Sequence, residues 1–155
     1  MSASPRPNLM LRIRRDLRAF DASLDQLDEA VAARLAIGRS DLRAMELVSR
    51  LGRLGPAALA KRLGLTTGAV TTLVDRLESN GLLRREPDPE DRRRVVLRIT
   101  KEGAAREREL FGQLGLEMAR WLSRRPTRGL EAIADFLDAA RSLADSARAR
   151  IEGGR

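Results

Sequence analysis

Between Pro56 and Gly81, helix stop and start signals follow one another so closely that only two short helices with a tight turn between them fit. Pro56 suits a first helical turn, where its missing N–H costs nothing. Ala57, Leu59, Ala60 and Leu63 follow, and Gly64 suits the left-handed position that ends a helix. Leu65 bridges to Thr66, a good N-cap, after which Val70, Leu73, Val74 and Leu77 fall at i, i+3, i+4 and i+7. This second helix is predicted to run to about Asn80, with Gly81 as its terminator. The result is a helix-turn-helix.

Past Gly81 the period changes. Leu82–Glu86 reads as a strand, Pro87–Asp91 as neither helix nor central strand, and Val95–Ile99 as a β-branched strand, which together make a hairpin with a charged tip. Thr100 caps a further helix with Leu110, Leu114, Met118, Trp121 and Leu122 on its apolar side, ending before Pro126.

Long amphipathic segments flank this block. From Leu9, the residues Ile13, Leu17, Phe20, Leu24, Leu27, Val31 and Leu35 recur every three or four positions. At about 1.5 Å per residue such a helix runs on the order of 40 Å, longer than a small core needs, so part of its stripe should meet another chain. Gly38 is expected to close it and Ser40 to open the next helix, with Asp41 in the first turn. That helix carries Leu42, Met45, Leu47 and Val48. Near the C-terminus, Leu130, Ile133, Leu137, Ala140, Ala144, Ala147 and Ile151 keep heptad spacing and ask for a partner helix. The expected fold is therefore mainly α with a small β-hairpin wing. Residues 1–8 read as a disordered tail, 9–37 and 104–151 as a helical dimerisation region, and 38–103 as the winged helix-turn-helix domain.

Composition narrows the chemistry. With neither Cys nor His, the chain lacks thiolate catalysis, disulfides and the usual zinc ligands, and no nucleophile–base pair stands out. An enzyme is the poorest reading; no metal and no cofactor is expected. The formal charge of +8 favours a polyanionic partner, and the basic residues are nearly all Arg, a good fork for phosphate and guanine edges. A genome rich in G and C yields the same bias. No apolar run approaches the ~18 residues of a membrane span, and the start lacks the order of a secretion signal. A cytoplasmic chain with no membrane partner is expected.

On a helical wheel, the side of the second short helix opposite its apolar set carries Gly68, Thr72, Asp75 and Ser79, flanked by Thr71 and Arg76. Such a face suits a recognition helix: Thr methyls touch thymine, Thr hydroxyls bond phosphate or base, and Gly68 lets the backbone come close. Thr67 lies in the first turn, where free N–H groups favour a phosphate. The same face reads equally well as an ordinary solvated surface. At the hairpin tip, Arg92, Arg93 and Arg94 outnumber the adjacent Glu90 and Asp91, and Arg84, Arg85 and Arg98 add to the charge. A basic hairpin beside a recognition helix is the geometry of a wing whose Arg enters the minor groove; a turn with self-paired charges is the plainer alternative.

The run Leu59–Thr66, then Val70-Thr71, Leu73–Glu78, Gly81-Leu82, Asp88–Arg93 and Thr100–Gly103, resembles the core of the MarR family in unbroken order over roughly residues 55–103. The resemblance implies a homodimeric regulator whose terminal helices interlock and whose two winged domains read a pseudo-palindrome in double-stranded DNA. It implies that Asp91 and Arg93 form the wing's Asp-x-Arg motif, with Arg93 in the minor groove and Asp91 paired to Arg76 in support. Taken with the wheel reading and with phosphate contact as the default for Arg92 and Arg94, the expected DNA contacts are Thr66, Thr67, Gly68, Thr71, Thr72, Arg76, Arg92, Arg93 and Arg94. A small aromatic or amphipathic effector between dimerisation helices and winged domain is also implied, its residues unassigned. Ile99 departs from the family's usual Leu, and the absence of Cys removes the thiol-sensing branch. The competing class is a dimeric helical adaptor that binds an acidic protein or RNA through the basic hairpin.

Other motifs are weaker. Gly52–Gly55 lacks the Gly-Lys-Ser/Thr of a phosphate loop and reads as a turn and short strand. Asp88, Glu90 and Asp91 suit a hard cation poorly among so many arginines. Trp121 fits core or interface packing better than ligand stacking.

Overall fold

The computed structural model describes residues 5–154, with the helices α1 (Pro5–Leu35), α2 (Arg39–Leu51), α3 (Pro56–Leu63), α4 (Thr67–Ser79), α5 (Lys101–Ser123) and α6 (Thr127–Gly153). Strands β1 (Leu83–Pro87) and β2 (Val95–Ile99) form one antiparallel hairpin, Leu83 opposite Ile99 and Pro87 opposite Val95. Among the described residues, no helix is long and apolar enough to cross a membrane. The chain divides into two compact units between Leu110 and Phe111.

The first unit holds the core. Ala44, Met45 and Val48 of α2, Leu59 and Ala60 of α3, Val70, Leu73, Val74 and Leu77 of α4, and Leu82, Leu83 and Leu97 form one buried apolar cluster. All four apolar positions read from the wheel of α4 are inside it. Burying a side chain of this kind contributes about 1.5–3 kcal/mol, so the cluster fixes which face of α4 remains outside. Leu54 pairs with Leu97 as a single bridge residue, its carbonyl accepting the Leu97 N–H at 2.8 Å, and thereby adds an edge to the hairpin. Of α1, only Val31, Ala32 and Leu35 are fully buried, while Leu9, Ile13, Leu17, Phe20 and Leu24 stand exposed.

Several boundaries differ from the sequence expectation. The first helix begins at Pro5, so residues 5–8 of the predicted disordered tail are helical; the rest of that tail, residues 1–4, lies outside the described residues. Pro5 and Pro7 fall in the first turn, whose N–H groups have no partner within a helix, so a missing backbone donor costs nothing there. The helix is closed by Ala36 at φ 53°, not by Gly38. Ile37 N–H donates to Ala32 O at 3.0 Å and Ala36 N–H to Ala33 O at 3.1 Å, which satisfies the last carbonyls in a Schellman arrangement. Ile37 packs against the core cluster, an anchor that offsets the cost of a left-handed alanine. Gly38, not Ser40, is the N-cap of α2, because the Asp41 carboxylate reaches back to the Gly38 N–H at 3.0 Å. The strand expected at Leu82–Glu86 is shifted by one residue. Leu82 N–H is taken by Leu77 O in the turn around Gly81, which leaves Pro87 at the strand's end, where no ladder donor is needed.

In the second unit, the end of α5 and the whole of α6 bury little. No residue of α6 is fully buried; Ile133, Ala140 and Ala147 are half-covered, and Phe136, Leu137, Leu143 and Ile151 are exposed. Trp121 is exposed too, with the Arg125 guanidinium 3.9 Å from its ring centre.

Gly103 marks the closest backbone approach. A Cβ built there would lie 2.3 Å from Leu82 O and 3.1 Å from Leu82 C, while Thr100 Oγ1 caps the same turn by accepting the Gly103 N–H at 2.9 Å. Gly103→Ala should therefore push the start of α5 off the hairpin and cost about 1–3 kcal/mol. Urea unfolding of the two proteins checks this, and equal midpoints would contradict the close approach.

Candidate nucleic-acid interface

Thr66 begins the exposed face as the N-cap of α4, its Oγ1 accepting the Ala69 N–H at 3.2 Å. Thr67, Gly68, Thr71 and Thr72 follow it on the surface. A Cβ added at Gly68 would meet nothing, so this glycine leaves open space at the start of the helix. The hydroxyls are less free than their exposure suggests. Thr71 Oγ1 donates to Thr67 O at 3.0 Å and Thr72 Oγ1 to Gly68 O at 3.3 Å, which uses their protons and leaves their oxygens able to accept.

Arg76 does not pair with Asp91. Its Nε and Nη2 donate to Asp41 Oδ2 and Oδ1 at 2.8 and 2.6 Å, a bidentate pair that also raises the pKa of the guanidinium. Asp41 has no exposed surface, whereas Arg76 is half-exposed. The expected helix-to-wing support therefore becomes a lock between α4 and the N-terminus of α2. Asp91 serves the wing alone: it accepts the Arg93 N–H at 3.1 Å and pairs with Arg94 at 3.2 Å.

Another residue joins wing and helix. Arg85 of β1 bonds Glu78 through its guanidinium, pairs with Asp75 at 2.8 Å and donates its backbone N–H to Glu78 Oε1 at 2.6 Å. Its Nη2 also reaches Thr71 O at 3.5 Å, which sets the wing's stem directly beside α4.

The tip is held from the turn after α2. Arg53 Nη2 and Nε donate to Asp88 at 2.6 and 3.3 Å, and its Nη1 meets Glu90 at 2.5 Å. Asp88 is buried and also accepts the Glu90 N–H at 2.9 Å. These carboxylates are thus engaged by a cation of the chain itself, not arranged around a hard metal ion. Glu86 is shared by Arg84 at 2.6 Å and Arg98 at 3.6 Å. With each hairpin carboxylate engaged, Arg92 and Arg93 are exposed and have no ion-pair partner among the described residues.

Asp41, Arg53, Arg85 and Asp88 are the residues sequence reasoning missed as site supports. Asp41 stood out only as an acid in a first turn, and Arg85 only as part of the hairpin's charge. The place of Arg85 two residues after buried Leu83, on the same face of the strand, was the available hint that it turns toward α4.

A helix with a small-residue outer face, packed beside a hairpin with two unpaired arginines, defines a winged helix-turn-helix DNA-binding protein. The sequence pattern of the MarR family matches residues 37–95. The chain is 35% identical to the HTH-type transcriptional regulator YcgE of Bacillus subtilis over 125 residues, 80% of each protein. It is 41% identical to the transcriptional repressor YetL of the same organism over 54 residues, 35% of this chain and 32% of that one. The solved structure of RV1404 from Mycobacterium tuberculosis is 25% identical, with a TM-score of 0.63 over 84% of this chain and 90% of the other. The chain belongs to the MarR family. It is a DNA-binding transcriptional regulator and not an enzyme.

Arg53 holds both Asp88 and Glu90 below the ordinary carboxylate range, with the Glu90 N–H adding to the effect at Asp88. Folded values below those of the free chain, about 3.9 and 4.3, mean that the clasp contributes fully above that range. The contribution is lost as pH falls through the folded values. Carboxyl 13C shifts followed downward from neutral pH should place both midpoints under the free-chain values. An Asp88 midpoint at or above about 3.9 would contradict the clasp.

Proposed function

We propose that two copies of the chain form a homodimer that represses transcription in the cytoplasm by occupying a pseudo-palindromic operator, and that a small aromatic or amphipathic effector releases it. The observation that carries this reading is the pair of unpaired tip arginines on a hairpin whose stem is bonded to α4. In the bound state, Thr66, Thr67, Gly68, Thr71 and Thr72 lie in the major groove, while Arg93 enters the neighbouring minor groove and Arg92 and Arg94 meet phosphates. Arg76, expected at the DNA from sequence, acts through its lock on Asp41 and so holds the reading face.

The exposed apolar residues of α1 and α6 support the homodimer, since water is a poor neighbour for Ile13, Leu17, Phe20, Leu137 and Ile151. Two recognition helices then fall in successive major grooves about one helical turn apart. An effector acts by binding one spacing of the two readers more tightly than the other. No cofactor enters this mechanism.

Anisotropy titration of the duplex upstream of the chain's own reading frame, at two salt concentrations, tests it. Binding should be steeply salt-dependent and should exceed that of a random duplex by at least about a thousandfold; equal affinity for the two would favour an adaptor. Arg93→Ala should weaken operator binding by about 1–3 kcal/mol without splitting the dimer, and normal binding would remove the wing assignment. Replacing Ile133 and Leu137 with Asp should yield monomers, because charges then interrupt a heptad seam. Sedimentation that still shows dimers would place the interface elsewhere.

A further inference from the structure

The tip loop is anchored from outside its own hairpin. Arg53 lies between Gly52, whose carbonyl accepts from Arg98 Nη1, and Leu54, whose carbonyl accepts the Leu97 N–H at 2.8 Å. The turn that carries Arg53 is therefore stitched along β2, and its guanidinium extends to the tip. Asp88 is the fixed point there: 6% exposed, it takes two N–H groups of Arg53 and one from Glu90. Asp88 N–H donates to Arg94 O at 2.8 Å and closes the base of the loop. Residues 89–93 lie beyond that closure and carry both unpaired arginines. Glu90 stands only two residues from Arg92, yet its carboxylate is turned onto Arg53.

We propose that Arg53, with Asp88 as its buried anchor, is a positioning residue for DNA binding: it holds the tip loop in one orientation and withdraws Glu90 from the tip arginines, so that Arg92 and Arg93 meet the duplex preorganised and unpaired. This rests on the wing reading given above. Ordering the loop before binding removes a cost that a free loop would meet on association. Holding Glu90 aside removes a competitor for the same cations.

The sign of one substitution separates positioning from simple attraction. Asp88→Asn removes a negative charge near the expected DNA, so bulk electrostatics would tighten binding. Positioning gives the opposite result, a loss of about tenfold, because the clasp loses its charge-assisted bonds. Arg53→Lys keeps the charge but not the fork and should lose a similar factor. The probe is the duplex that the full-length protein enriches from a randomised pool, followed by anisotropy, with circular dichroism melts confirming that each variant is folded.

In an Arg93→Ala background, Asp88→Asn should lose most of its effect, since it acts through the tip. In an Arg53→Ala background, Glu90→Gln should recover part of the affinity, because the released carboxylate is gone. Wild-type or tighter binding by Asp88→Asn overturns the proposal, as does an undiminished tenfold loss in the Arg93→Ala background. Absence of recovery by Glu90→Gln overturns the withdrawal of Glu90. Failure of the wing reading itself has a separate signature: Arg93→Ala then binds like the parent whatever Asp88→Asn does.

Discussion

A carboxylate with no exposed surface, Asp41, fixes the geometry on which the rest of the winged unit depends. Burying an ionised group costs several kcal/mol unless its oxygens are fully engaged. Here the Gly38 N–H and two N–H groups of Arg76 supply that engagement. The same side chain thereby caps α2 and grips α4, two elements otherwise related only by the packing of apolar surfaces. Apolar packing tolerates small rotations, whereas a bidentate guanidinium–carboxylate pair does so poorly. Since the grip takes Arg76 at the flank of that face, the threonines are held in register without being consumed themselves.

The charges of the winged unit obey a related logic. A formal +8 spread over the chain suggests a diffuse basic surface, but the arginines of the hairpin stem and its supports are spoken for. Arg53, Arg76, Arg84, Arg85, Arg94 and Arg98 each meet a carboxylate. The exposed pairs among them contribute little stability singly, about 0–1 kcal/mol, so their consequence is chiefly directional. They orient the hairpin and its tip, and they remove the acidic side chains that would otherwise screen Arg92 and Arg93. The attraction left for a polyanion is narrower than composition implies, and it is aimed.

What the sequence made legible was what local chemistry decides. Pro56, Gly64, Thr66 and Gly81 punctuate the helix-turn-helix where expected, because caps and left-handed turns are set by neighbours a few residues away. The buried stripe of α4 was legible for the same reason. The end of α1 was not: the left-handed residue is Ala36, since Ile37 has a core to enter and that tertiary contact outweighs the preference for glycine. The partner of Arg76 was not legible either. Asp41 and Asp91 are both carboxylates at separations that a folded chain closes freely, and only the packing of α2 beneath α4 selects the first. Arg53 was hidden by its setting, a glycine-flanked turn with no periodicity to mark which way its side chain reaches.

The proposed dimer and the proposed mode of reading DNA are physically one claim. A self-complementary contact between identical chains generates a two-fold axis, and a two-fold protein can satisfy both of its reading faces only on a duplex whose half-sites repeat with that symmetry. A lone winged unit offers a few exposed threonines and two unpaired arginines, a modest set for discriminating one site in a genome. Joined to a second, its engagement becomes intramolecular, and affinity rises by the effective concentration of the partner unit without a single new contact. The exposed apolar stripes of α1 and α6 would then matter to specificity as directly as the side chains that touch the bases. In the proposed dimer they would set the distance between the two readers, and a ligand that altered that distance would change affinity for the operator while leaving each winged unit intact.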